Sequence, residues 1–276
     1  MNDITVAAIQ LRSSDDIKEN IATVSALIRQ ANDQGAQFIA TPEITSLVDC
    51  RPGMLAKKSC HEEDDQALAA FSQLAAELKI WLLIGSIPIR SHSEKCVNRS
   101  FLLGPNGDIV ARYDKIHLFD ISLGENETYL ESARYNPGDD AVIAQVDNLK
   151  LGMTVCYDVR FPHLFRDLSK AGAQLITVPA AFARTTGKLH WHVLMRARAI
   201  ETSCFVIAPA QGGKHTDGRE TYGHSLIVDP WGQILAEAPG DEPGVIVSTL
   251  NLEQVDEVRQ KMPMLAHDRD YALSHH

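Results

Sequence analysis

The chain has 276 residues, 45% of them hydrophobic, which is enough for one large core, so a single α/β domain over 1–276 is expected. Its formal charge of −10 excludes general affinity for nucleic acid or an anionic membrane, because most of the surface would repel either partner. The longest apolar run, Ile80 to Ile89, is broken by Gly85, Ser86 and Pro88 and is too short to cross a bilayer; Met1 to Gln10 has Asp3 and no basic stretch, unlike a signal peptide, so a cytoplasmic location is expected.

Residues 4–11 read as a strand, and Ile17, Ile21, Val24, Ile28 and Ala31 then recur at helical spacing as far as Gly35. A short apolar run from Phe38 to Ala40 leads to Pro42 and Glu43. Leu68, Phe71, Leu74, Ala75 and Leu78 mark a second helix before a strand at 80–84. After residue 96 the pattern changes: Ser100 to Leu103 and Ile109 to Tyr113 flank Pro105-Asn106-Gly107, which favours antiparallel pairing. The stretch 119–140 carries Phe119, Ile121, Leu123, Tyr129, Leu130 and Tyr135, too many apolar residues for a tether, and reads as an ordered functional loop. Further hairpins fit 141–155, around Asp147-Asn148, and 225–236, around Asp229 to Gly232. Hairpins alternating with helices imply a mixed sheet packed in layers. Gly35 to Pro42 and Gly172 to Pro179 resemble each other, which suggests two similar layers whose strand ends meet at one rim.

The five cysteines, at 50, 60, 96, 156 and 204, form no C-x-x-C pair and are free thiols in a reducing compartment. Four are read as small buried hydrophobes. Cys156 differs, because 151–155 is a strand and 161–168 begins a helix; at that junction a thiol would be accessible and near N–H groups that favour a thiolate. Local context alone leaves a buried structural cysteine as the alternative. His117, His163, His190, His192 and His224 could each supply a base, but spacing singles out none, and His190-x-His192 without H-E-x-x-H gives little support for a metal. Glu43 and Lys115 stand at strand ends, where a lone charge is ordinarily solvated.

Taken together, these residues resemble the nitrilase superfamily of carbon–nitrogen hydrolases. Thr41-Pro42-Glu43, Tyr113 to Asp120 and Thr154 to Pro162 stand in the family's order, and Glu131 with Pro137-Gly138-Asp139 matches a second glutamate. His190-Trp191, Arg196 to Glu201, Tyr222 to Ser225 and Pro230 to Gly232 extend the resemblance over nearly the whole chain. It implies a four-layer α-β-β-α sandwich that pairs through 162–171 and 188–202 into an eight-layered homodimer or a larger homo-oligomer. It further implies Cys156 as nucleophile, Glu43 as general base and Lys115, with the N–H of Tyr157, as oxyanion stabiliser. Glu131 would hold Lys115 or the substrate amide. No cofactor or metal is required by this chemistry.

Arg196 to Cys204, Gln211 to His215 and Arg219 to Ser225 resemble most the branch that splits deaminated glutathione into 2-oxoglutarate and cysteinylglycine. The alternatives are an ω-amidase acting on 2-oxoglutaramate, an enzyme for carbamoyl amines or nitriles, and, from another class, a partner-binding protein that retains the three residues. An anionic amide asks for cations, and Arg160, Arg184, Lys188, Lys214 and Arg219 are available. Tyr157, Phe182, Arg184, Lys188 and Lys214 are the substrate-binding candidates. Arg160, close behind Asp158, can be read as half of a structural ion pair. Ile44 to Asp49 lacks the aromatic residue that many members carry after this glutamate, which leaves one wall of the pocket undetermined.

Overall fold

The computed structural model describes residues 3–91, 93–124 and 127–275. Its first half runs β1 (Asp3–Gln10), α1 (Ile17–Asp33), β2 (Phe38–Ala40), α2 (Met54–Lys58), α3 (Gln66–Leu78), β3 (Trp81–Arg90), β4 (Cys96–Leu103) and β5 (Ile109–Asp114). Three short strands follow, β6 (Asp120–Ser122), β7 (Thr128–Leu130) and β8 (Tyr135–Asn136). The second half runs β9 (Val142–Val146), β10 (Leu149–Met153), α4 (Pro162–Lys170), β11 (Leu175–Thr177), α5 (Arg184–Thr202) and β12 (Phe205–Ala208). It closes with β13 (Gly212–Lys214), β14 (Glu220–Tyr222), β15 (Leu226–Val228), β16 (Ile234–Glu237), β17 (Gly244–Asn251) and α6 (Glu253–Lys261).

Local chemistry explains the elements that carry the site. Asp16 caps α1 by accepting from the Lys18 and Glu19 N–H groups, and the helix buries Val24, Ile28 and Ala31 before Gly35 turns the chain at φ +85. The expected strand at 80–84 continues to Arg90, because β4 begins at Cys96 and pairs with it from Leu82 to Ile84 and again, after a register shift, from Ile87 to Arg90. Pro88 interrupts the apolar run yet remains in the strand opposite Asn98. The hairpins at 100–113, 142–153 and 226–237 form as the turn residues predict, with Asp147 at φ +49 and Gly232 at φ +79. The 119–140 stretch is ordered where described: β6 pairs with β7, Glu131 opens a short 3-10 turn, and β8 joins β4. Residues 125 and 126 of that stretch lie outside the described residues.

Two sheets result, one in the order β17-β1-β2-β3-β4-β5 with β8 on β4, the other in the order β16-β15-β12-β11-β10-β9. The two similar sequence stretches become β2 and β11, each a parallel strand between two parallel neighbours in its own sheet. Period-two alternation then sorts the side chains. Ala7, Ile9, Ile39, Leu82 and Ile84 face Val24, Ile28, Phe71 and Leu74 of α1 and α3. Val6, Ala8, Phe38, Ala40 and Leu83 join a core with Leu151, Met153 and Leu175 of the other sheet and Leu164, Trp191 and Met195 of α4 and α5. The layers are therefore helix, sheet, sheet, helix, as expected, and each fully buried Leu, Ile or Phe contributes about 1.5–3 kcal/mol. No helix among the described residues is long and apolar enough to cross a membrane.

Candidate active site

Glu43 follows the end of β2, and its position depends on the backbone of β3. A Cβ on Gly85 would lie 2.0 Å from the Thr41 carbonyl oxygen and 2.3 Å from that of Pro42, so only glycine lets the Thr41-Pro42 segment cross here. Ile44 turns away at φ +50 and donates its N–H to Ser86 Oγ at 2.8 Å. The Glu43 carboxylate is thereby aimed inward, where Oε2 accepts from the Ala181 N–H at 2.8 Å.

Lys115 follows the end of β5 and is only 2% exposed. Its Nζ donates to Glu43 Oε1 at 2.8 Å and to Glu131 Oε2 at 2.8 Å and Oε1 at 3.0 Å. Glu131, from the turn after β7, is held in place by the Phe119 N–H at 2.6 Å. Asn98 of β4 bridges both carboxylates, donating from Nδ2 to Glu43 at 2.9 Å and Glu131 at 3.2 Å.

Cys156 lies just beyond β10 in the left-handed region, φ +49, with its N–H donated to the Pro179 carbonyl at 2.8 Å. That strained placement is stabilised by a fully buried carboxylate two residues on. Asp158 accepts from the Val155 N–H at 2.8 Å, the Tyr113 hydroxyl at 2.7 Å and the His117 N–H at 3.0 Å, and pairs with His117 Nδ1 at 2.7 Å. One side chain thus joins the Cys156 turn to the Lys115 segment. Arg160 is not the partner of Asp158, which is saturated by these groups; it contacts His190 Nδ1 at 3.2 Å and lies over the Phe182 ring.

The electrostatics follow from burial. Burial raises the Glu43 carboxyl, but the Lys115 ammonium outweighs it and holds Glu43 below the ordinary value. Burial disfavours the Lys115 charge, yet Glu131 and Glu43 together raise it well above the ordinary lysine value. The Cys156 thiol is pushed far up by burial and by the neighbouring Glu43 carboxylate, with Lys115 opposing. This corrects the expectation of an accessible, thiolate-favouring junction: Cys156 is 7% exposed and keeps its proton at rest. The arrangement can nevertheless pass that proton to Glu43 as a bond to sulfur forms.

Glu43, Lys115, Glu131 and Cys156 line one cleft of about 680 Å³, part of it open to solvent. Tyr157 and Phe182 of the substrate-binding candidates line it as well. Arg184 and Lys188 line an adjoining shallower depression, and Arg184 is paired with Glu220 and Asp241. Lys214 is exposed on β13 and lines neither. Phe119 and Tyr129, from the loop read as functional, line the cleft too; sequence reasoning missed Asn98 and Arg134, which also line it, and read Cys50 as a buried hydrophobe although it lies there half-buried. Ile44 and Leu47 form the wall that lacks an aromatic residue. Among the described residues none of the five candidate histidines lines the cleft; His192 and His224 converge instead on Glu237, at 3.0 and 2.8 Å.

Three comparisons bear on this arrangement. The family model described as carbon–nitrogen hydrolase matches residues 5–260. A Synechocystis sp. protein named deaminated glutathione amidase is 40% identical over 276 residues, which is 97% of this chain and 98% of that one. The C. elegans NitFhit crystal structure superimposes with a TM-score of 0.90 at 31% identity; it covers 97% of this chain, which spans 65% of the worm protein's length. Saccharomyces cerevisiae Nit3, described as a member of branch 10 of the nitrilase superfamily, matches at a TM-score of 0.85 and 29% identity over 95% of each chain.

Proposed function

The chain belongs to the carbon–nitrogen hydrolase family, and on that premise we propose that it is a cofactor-independent thiol amidase acting on deaminated glutathione. The observation that carries the reading is the buried Glu43–Lys115 pair beside the Cys156 thiol, in a cleft on a chain 40% identical to a protein of that name. Cys156 Sγ attacks the amide carbon while Glu43 takes the thiol proton. Lys115 and the Tyr157 N–H hold the oxyanion, since the Cys156 N–H is already given to Pro179. The carbon–nitrogen bond breaks as Glu43 returns the proton to the departing amine of cysteinylglycine. Glu43 then takes a proton from water, the hydroxide attacks the thioester, and 2-oxoglutarate leaves as the thiol recovers its proton. Glu131 and Asn98 keep Lys115 charged and aimed.

On this reading the chain is one domain of a cytoplasmic homodimer, paired through α4 and α5. The exposure of Leu189, Val193 and Ile200 on α5, at 70%, 67% and 37%, supports that face as the contact. Mass spectrometry of the intact enzyme mixed with deaminated glutathione should detect a 2-oxoglutaryl adduct on Cys156, absent from folded Cys156→Ala. Wild-type kcat/KM should exceed that for 2-oxoglutaramate and far exceed that for glutamine. A folded Cys156→Ala enzyme with near-normal turnover would overturn the mechanism, and a preference for 2-oxoglutaramate would overturn the substrate.

A further inference from the structure

Arg134 and Arg219 enter the cleft from different elements, Arg134 from the turn before β8 and Arg219 from the turn before β14. Arg219 donates from Nη2 to the Ala181 carbonyl at 2.7 Å, and its Nη1 lies 3.9 Å from Cys50 Sγ. Its Nε is buried without a hydrogen-bond partner among the described residues. Arg134 lines the same cleft beside Cys50 and Arg219. Most cations around the site are already matched: Lys115 by Glu43 and Glu131, Arg51 and Lys58 by Asp49 and Asp15, Arg184 by Glu220 and Asp241. Among the described residues neither Arg134 nor Arg219 has a carboxylate within ion-pair distance. Two guanidinium groups so placed in one cleft repel each other, and leaving the buried Arg219 Nε without a partner is costly.

We propose that Arg134 and Arg219 form the carboxylate site for the acyl half of the substrate, the half that remains on Cys156 as the thioester. The proposal rests on the amidase reading above and specifies how that site selects its amide. A planar guanidinium fork matches a carboxylate, and an anion between the two groups would relieve their repulsion. Arg219 lines the same cleft as Glu43 and Cys156, so its anion belongs near the reacting carbon. The amine half must leave and admit water, whereas a grip on the acyl half persists through both steps. In a 2-oxo acid amide such as 2-oxoglutaramate the carboxylate stands four bonds from the amide carbon, and no ammonium accompanies it to oppose two arginines.

The test compares 2-oxoglutaramate with 4-oxopentanamide, which replaces the carboxylate by methyl. In Arg134→Gln and Arg219→Gln the ratio of kcat/KM for the charged amide to that for the neutral one should fall about 30-fold or more, chiefly through KM. Arg219→Lys should recover part of that ratio. Equal losses on both amides, or an unchanged ratio, would overturn the proposal. Calorimetric binding of 2-oxoglutaramate to Cys156→Ala, with and without the arginine substitutions, separates this from the functional reading. Binding that depends on the arginines without any turnover by the wild type would sink the amidase reading and keep the carboxylate site. Turnover with binding indifferent to the arginines would do the reverse.

Discussion

Cys156 is held as a thiol because burial and the Glu43 carboxylate act in the same direction and outweigh the opposing Lys115 ammonium. An ordinary cysteine titrates near about 8.5, so its alkylation rate levels off soon above that pH. Inactivation by iodoacetamide should instead still be accelerating at about pH 9 to 10. A rate that is already flat at neutral pH would mean a preformed thiolate. The same shift has a stability consequence whose sign is definite. Raised in the fold, the Cys156 value contributes stability that is full below the unfolded value and lost as pH rises through the folded one. Lys115, also raised, behaves likewise from about pH 10.4 upward, while Glu43, lowered, contributes above about pH 4.3 and is lost as pH falls through its folded value. Thermal melts across pH should show a plateau from about pH 5 to 8, and Cys156→Ala should flatten the decline that begins near about pH 8.5.

At the scale of elements, the site is a meeting of segments that follow strands, and Asp158 is what couples two of them. It has no exposure, and it ties Val155 to Tyr113 and His117 across the two sheets. Asp158→Ala would leave a tyrosine hydroxyl, two backbone N–H groups and an imidazole without their acceptor. The expected loss is about 3–5 kcal/mol in chemical denaturation, with activity falling as Cys156 and Lys115 lose their common anchor. Unchanged stability would show that water replaces the carboxylate. The elements themselves were largely legible: α1, β2, α3 and three hairpins stand where periodicity and turn residues put them. The extension of β3 through Pro88 was not, because a strand's length is set by the partner it finds, here β4.

For the whole molecule, the layer order leaves α5 outermost, with Leu189 and Val193 one turn apart on its surface. Apolar side chains so exposed on a chain of charge −10 are better covered than solvated, which supports pairing of two copies through this face. Sedimentation should give a dimer for the wild type and a monomer for Leu189→Glu combined with Val193→Glu, with the helical content unchanged. A monomeric wild type would refute that arrangement.

Thr41-Pro42-Glu43, Tyr113 to Asp120 and Thr154 to Pro162 could be read before any coordinates, because each is a short motif whose residues are neighbours in the chain. Hydrophobic alternation likewise determined the layered α/β class, since burial of one face depends on local period. The tertiary structure decided what depends on residues brought together from afar. Asn98 was invisible in the sequence because nothing near it announces that Glu43 and Glu131 converge on its amide. Arg134 and Arg219 could not be told from surface cations until the fold brought them, half-buried, into the cleft beside Cys50 without carboxylates of their own. The protonation of Cys156 reversed the local expectation for the same reason. Desolvation and charge pairing are properties of the space around a group, and that space is assembled only when both sheets and their connecting turns close on it.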